Sequence, residues 1–227
     1  MMLLSLREVS KQYGSSRGLR TTSIEFTQGE IVGLLGPNGS GKTTMLRLAA
    51  GLLTPSTGRV ELDNKPPRDQ LRRFAFLSTS AVFPEWMEHK DVDRCMSGLF
   101  PDFSSERFHR LIQDLDITNQ PFKALSRGNQ TKLLLASTLA REVGLYLLDE
   151  PLAGIDFMAR ESIIGAVIGE FRADASVILS THEVKEAEAL FDRAVILRDG
   201  DVLLDERAET LRAQGTSVVE AYRNNMQ

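Results

Sequence analysis

At 227 residues and 42% hydrophobic composition, the chain can fill the core of one large domain or two small ones. Charged residues make up 26% and sum to a net charge of −4, so no basic excess advertises a nucleic-acid footprint. The one cysteine, Cys95, excludes an internal disulfide framework and fits a reducing compartment.

The chain opens on Met1–Leu6, apolar but too short for a signal segment, and Leu4, Leu6 and Val9 predict a strand. That strand is expected to end in Lys11-Gln12-Tyr13-Gly14 and a polar loop through Arg20. Ser23-Ile24-Glu25-Phe26 alternates at period two, and Gln28-Gly29-Glu30 turns this second strand into the apolar run Ile31-Val32-Gly33-Leu34-Leu35. That run breaks into Gly36-Pro37-Asn38-Gly39-Ser40-Gly41-Lys42-Thr43-Thr44, followed by a predicted helix from Met45 to Ala50. A glycine, four residues and Gly-Lys-Thr between strand and helix form the phosphate-binding loop pattern. The glycines let successive N–H groups turn toward phosphate oxygens, and the helix start adds unpaired N–H groups and the positive end of its dipole. Lys42 can reach the β- and γ-phosphates, and the Thr43 hydroxyl can ligate Mg²⁺.

Gly51 caps that helix, Thr54–Gly58 is a turn, and Arg59–Asp63 alternates as a strand. Phe74-Ala75-Phe76-Leu77 is apolar throughout, as a strand in a buried sheet requires. From about Ala81 the character changes. Phe83-Pro84-Glu85-Trp86-Met87 is an aromatic loop, and Asp91–Leu99 and Ser104–Ile117 predict helices. Phe108, Leu111, Ile112 and Leu115 make one apolar stripe behind a Ser104 or Ser105 cap. After Leu125-Ser126 a long helix runs to about Glu142, with Leu133, Ala136 and Ala140 on one face. Residues 81–142 therefore form a helical insertion. Alternation then resumes: strand Leu145–Leu148, helix Phe157–Phe171, strand Ser176–Ser180, helix Val184–Leu190 and strand Ala194–Leu197. Asp199-Gly200 turns into Asp201–Leu204, and the tail from Glu206 predicts helix. The pattern implies an α/β fold, a mostly parallel sheet with helices on both faces, and no run long enough to span a bilayer.

The strand Leu145–Leu148 ends in two carboxylates, Asp149 and Glu150. At the carboxyl edge of a parallel sheet, Asp149 faces the crevice beside the phosphate loop and suits Mg²⁺. Glu150 is placed to orient or deprotonate the water that attacks the γ-phosphate.

With these residues in view, the chain resembles the nucleotide-binding subunit of an ATP-binding cassette (ABC) transporter over essentially its whole length. Leu125-Ser126-Arg127-Gly128-Asn129 stands where that family has its Leu-Ser-Gly-Gly-Gln signature. Leu152-Ala153-Gly154-Ile155-Asp156 resembles its D-loop, and Ser180-Thr181-His182-Glu183 carries a switch histidine. Tyr13 stands where the family stacks a ring on adenine. The resemblance implies one P-loop NTPase domain over 1–227, with an amino-terminal antiparallel β region. It implies ATP and Mg²⁺ as cofactors, with Lys42, Glu150 and His182 catalytic and Thr43 and Asp149 at the metal. Nucleotide contacts would come from Tyr13, the loop Gly36–Thr44, and Ser126 with Gly128. The last two would meet a γ-phosphate held by the opposite subunit, so a homo- or heterodimer of ATPase subunits is expected. The implied partner is a separate transmembrane permease, which would hold a cytoplasmic chain at the inner face of the cell membrane; no nucleic acid is expected.

The departures are specific. Arg127 and Asn129 replace a glycine and the glutamine of the signature, and Ser78-Thr79-Ser80 occupies the place of the family's metal-bridging glutamine, with Thr79 aligned to it. Coupling to a permease would then lean on Phe83, Trp86 and Met87. The Glu85-Trp86-Met87 stretch and Phe100–Phe103 resemble bacterial export-type (ABC-2-like) subunits. A soluble, non-transport ABC ATPase acting on nucleic acid or ribosomes is the alternative, but the long coiled coils, zinc cysteines and tandem cassettes of such relatives are not in this sequence. A non-catalytic nucleotide switch would have no need of Glu150.

Overall fold

The computed structural model describes residues 2–80, 82–172 and 174–226, with Arg17 described by its backbone alone. Met1, at the head of the amino-terminal run, and Ala81, where the insertion is predicted to begin, lie outside the described residues. The central sheet is built around Ile31–Leu35 (β3), whose neighbours are Ser176–Thr181 (β7) and Arg193–Arg198 (β8). Beyond β7 lie Leu145–Asp149 (β6) and then Phe74–Leu77 (β5), while Asp201–Arg207 (β9) closes the opposite edge. All pairings are parallel except that of β8 with β9. Every residue of β3, β6 and β7 is buried, which is why these segments are apolar runs and not alternating strands.

A second, antiparallel sheet has Met2–Tyr13 (β1) between Ser16–Thr27 (β2) and Thr57–Leu62 (β4). Here the predicted polar loop through Arg20 is corrected. Tyr13 pairs with Ser16 across a two-residue turn at Gly14, whose φ is 57°, and most of the expected loop is strand. Backbone pairing along β1 needs no apolar side chains, so periodicity gives no sign of it.

The helices agree better. Lys42–Ala49 (α1) follows the phosphate loop, and the insertion carries His89–Leu99 (α2), Ser105–Asp114 (α3) and Arg127–Leu139 (α4). The second of these is shorter than predicted: Ser104 is its cap, and the chain leaves it at Leu115 before the positive φ of Asp116. Phe108, Leu111 and Leu115 are fully buried, with Ile112 packed beside them, so the stripe is core. Phe157–Glu170 (α5) starts on an Asp156 cap. The helix expected over Val184–Leu190 is one turn, Val184–Ala187 (α6), continued by a 3-10 turn. The tail is corrected too. Strand β9 runs on to Arg207, and two helices follow, Ala208–Ala213 (α7) and Val218–Met226 (α8), separated at Gly215 with φ 77°.

The insertion shares one apolar cluster with one face of the central sheet, through Phe108, Leu133 and Leu148 among others. On the other face, α1 and the antiparallel sheet form a second cluster around Leu4, Phe26, Met45 and Leu62. Arg141 ties insertion to sheet: it pairs with Asp102 at 2.8 Å, donates to the Phe74 carbonyl at 3.0 Å and stacks on Phe100. No helix of the described residues is long and apolar enough to cross a membrane.

Candidate nucleotide site

The strand order assembles the site. With β6, β7 and β3 adjacent and parallel, their carboxyl ends place Asp149-Glu150, Ser180-Thr181-His182 and the loop after Leu35 side by side. This is where ligands enter open α/β sheets. Register pairs Asp149 with Ser180, and Ser180 with Leu34.

The loop after β3 wraps around the start of α1. Gly41 has φ 107°, and a Cβ there would stand 2.6 Å from the Gly18 carbonyl, so only glycine fits. It is the helix's N-cap and offers no side-chain acceptor, which leaves the first-turn N–H groups of α1 open toward the loop. The buried Ser40 hydroxyl has no partner among the described residues. Open N–H groups and an unpaired hydroxyl around one concavity suit a phosphate chain. The cavity measures about 380 Å³ and is lined by Tyr13, Gly18, residues 38–44, Thr79 and Glu150.

Lys42 is buried, and its ammonium donates to the Gly36 and Pro37 carbonyls at 2.7 and 3.1 Å. It also lies 3.0 Å from Glu150 Oε1. Glu150 takes φ 49°, a left-handed conformation costly for a residue with a side chain. Two hydrogen bonds hold that turn, from its N–H to the Ser180 hydroxyl at 3.0 Å and to the Ser180 carbonyl at 3.1 Å. The turn aims the carboxylate back at the loop, and Oε2 meets His182 Nδ1 at 2.9 Å. One carboxylate thus bridges the lysine and the histidine.

Asp149 is fully buried and accepts from the Thr43 hydroxyl at 3.0 Å and the Ser180 hydroxyl at 2.8 Å. Thr79 donates to its other oxygen at 3.4 Å, so the residue in the expected glutamine's place does face the carboxylate. A carboxylate flanked by two threonine hydroxyls is an all-oxygen donor set, which fits a hard cation such as Mg²⁺.

Tyr13 stands half out of the cavity mouth, its ring over Gly18 and its hydroxyl 3.4 Å from Thr44 Oγ1. Ser126 and Gly128 lie apart from this group. Ser126 caps α4 by accepting from the Asn129 N–H at 3.2 Å. A Cβ on Gly128 would stand 3.7 Å from that of Ala159 and 3.8 Å from Asp156 Oδ2, so the starts of α4 and α5 abut. The Asp156 carboxyl is held below its ordinary value, chiefly by the Ala159 N–H it accepts.

Two features lie outside the sequence motifs. By sequence Ser180 belongs only to the switch segment, yet in the fold it pins Asp149 to Glu150. A serine ending an apolar strand that neighbours the carboxylate strand is the signal that points to it. The aromatic loop also divides. Trp86 is 64% exposed, whereas Phe83 stacks edge-on against Phe122 and Met87 packs on the core, so Phe83 and Met87 are not free surface anchors.

A family model described as ABC transporter matches residues 19–153. The SkfA peptide export ATP-binding protein SkfE of Bacillus subtilis (strain 168) is 29% identical over 213 residues, covering 90% of this chain and 89% of its own. The aliphatic sulfonates import ATP-binding protein SsuB of Albidiferax ferrireducens is 32% identical over 223 residues, covering 96% and 80%. Among solved structures, an ATP-binding subunit of an ABC transporter superposes with a TM-score of 0.86 at 25% identity over 99% of this chain and 100% of that one. A dimeric structure of MJ0796, a bacterial ABC transporter cassette, gives 0.78 at 25% identity over 90% and 98%.

Proposed function

The chain belongs to the ABC transporter family of ATP-binding subunits and is an ATPase, and from that premise we propose that it powers a separate transmembrane permease as a dimer closed around two Mg-ATP. The observation that carries this reading is that Glu150, lining the phosphate-loop cavity with Lys42, meets both that lysine and His182 behind it. In this reading residues 2–226 act as one catalytic domain with the helical layer inserted in it. The open N–H groups of α1, with Ser40 and Lys42, bind the β- and γ-phosphates, and Tyr13 stacks on the adenine at the cavity mouth. Thr43 and Asp149, which are hydrogen-bonded to each other with Thr79 beside them, would hold Mg²⁺. Bound there, the ion neutralises charge on the phosphates.

Lys42 cannot serve both Glu150 and a γ-phosphate fully. Arriving phosphate draws the ammonium away, and the freed Glu150 carboxylate takes the proton of the attacking water. His182 then donates to the γ-phosphate in place of its contact with Glu150. Ser126 and the open start of α4 cover the γ-phosphate of a second copy. Exposed Phe157 and Met158, on the first turn of the abutting α5, supply apolar surface to the same contact. The dimer of a structural relative supports that arrangement. The permease partner would hold the chain at the cytoplasmic face of a membrane.

The test is a pair of variants. Glu150→Gln should lower steady-state phosphate release ~100-fold or more, retain ATP, and elute as a dimer that dissociates when nucleotide is removed. Adding Ser126→Arg should abolish that dimer and leave ATP binding by the monomer intact. Near wild-type hydrolysis by Glu150→Gln, or full activity from a strict monomer, would overturn the reading.

A further inference from the structure

One ion pair outside the nucleotide cavity connects two of its working parts. Arg160 sits on the first turn of α5, one residue past Ala159, which touches the Gly128 end of α4. Its guanidinium reaches across to the switch segment, where Nη2 donates to Glu183 Oε1 at 2.8 Å and Nη1 stands 3.9 Å from Glu186. Glu183 is the residue after His182, and His182 in turn contacts Glu150 through both its ring and its N–H. A continuous line therefore runs from the joint face of α4 and α5, through Arg160 and Glu183, to His182 and the Glu150 carboxylate.

Stability alone does not account for the pair. Both partners are largely buried, with side-chain exposures of 22% and 19%. Yet Arg160 Nε and Glu183 Oε2 are buried with no hydrogen-bond partner among the described residues. A half-satisfied ion pair gains little against its desolvation. What it does supply is placement. Around it the Glu183 N–H donates to the Thr181 hydroxyl at 2.9 Å, and Val184 and Ala187 are buried. But Glu183 caps α6 without a side-chain bond and α6 is a single turn, so the ion pair is what fixes the Glu183 side chain.

We propose that Arg160 is a positioning residue: through Glu183 it sets His182, and it makes the placement of that histidine depend on the α5 start, the surface a second copy would press upon. This rests on the proposed dimeric reading, in which His182 acts on the γ-phosphate. Displacing an acting group by about an ångström costs up to ~100-fold in rate, whereas ATP affinity, set at the phosphate loop, is untouched.

The experiment measures kcat and KM for ATP, thermal midpoint and ATP-dependent dimerisation of Arg160→Met, Arg160→Lys and His182→Ala. Methionine keeps the apolar stem and removes the charge; lysine restores the charge. The expected result is a kcat ~10- to 100-fold lower for Arg160→Met with KM within about twofold, and recovery of most of the loss in Arg160→Lys. Arg160→Met within twofold of wild-type kcat, with His182→Ala inactive, overturns the positioning role and leaves the proposed function standing. Full activity of His182→Ala overturns the reading beneath it. A loss of kcat that lysine does not recover also overturns the proposal. If Arg160→Met does not fold, Glu183→Gln, which keeps shape and removes the partner's charge, is judged by the same kcat and KM criteria.

Discussion

At the carboxyl edge of β3, β6 and β7, polar side chains are buried and tied to one another; on the outer rim of the insertion, large apolar side chains stand in solvent. Asp149, Lys42 and Ser180 are nearly inaccessible, yet each has its partner within 3.0 Å. Val82, Trp86 and Leu99 are 75%, 64% and 66% exposed. Burying charge is tolerated only where geometry is fixed in advance, and that fixing is what a catalytic edge needs. Exposing a tryptophan is tolerated at small cost, and under the proposed function a rim that does so is the surface a partner would cover. Substitutions should therefore alter turnover at the edge and association or stability in the insertion.

The largest effect is expected at the edge. Lys42→Ala should lower ATP turnover ~100-fold or more while the melting temperature moves by less than about 4 °C, because the lysine's partners are loop carbonyls and a carboxylate that His182 still meets. A collapse of the fold in circular dichroism would erase the distinction between the two regions. Next comes the joint between them. Arg141→Leu strips Asp102 and the Phe74 carbonyl of a buried cation, which should cost ~3 kcal/mol and lower the melting temperature by roughly 10 °C. Calorimetry showing no change would mean that the insertion is held by its apolar cluster alone.

Trp86→Ala tests the rim. Its side chain has little to lose on truncation, so stability should change by less than ~0.5 kcal/mol and ATP affinity by less than about threefold. Capture of the proposed permease partner should weaken in a pull-down. Unchanged capture by a stable variant would move the coupling surface elsewhere.

The smallest effect is a pH dependence in the insertion. The His89 imidazole is held below its ordinary 6.5, chiefly by burial, with His109 adding to the shift and a Thr118 hydrogen bond and Glu88 opposing it. The unfolded chain therefore binds that proton more readily than the folded one. Stability from this group is fully present above pH 6.5 and declines as pH falls toward the lowered folded value. The urea midpoint should drop as pH falls below 6.5, and His89→Gln should flatten that slope. An identical slope in the variant would assign it to carboxylates.

Much of this molecule is local in origin and therefore legible in the sequence. A glycine loop between an apolar strand and a helix needs only neighbouring residues to declare itself, as do Asp149-Glu150 at a strand end, the Ser126 cap and the buried stripe of α3. The antiparallel partner of β1 is not legible in this way. Residues 16–22 are mostly polar, and their strand conformation exists because β1 lies beside them. Phe83, Trp86 and Met87 look alike in sequence, and packing alone separates the exposed ring from the two covered side chains. The same holds for Arg160 and Glu183, unremarkable letters in a helix and a turn. Composition and spacing determine most of the helices and buried strands and where phosphate chemistry can occur. Which charges meet across those segments depends on strand order, and strand order is settled only when the whole sheet packs.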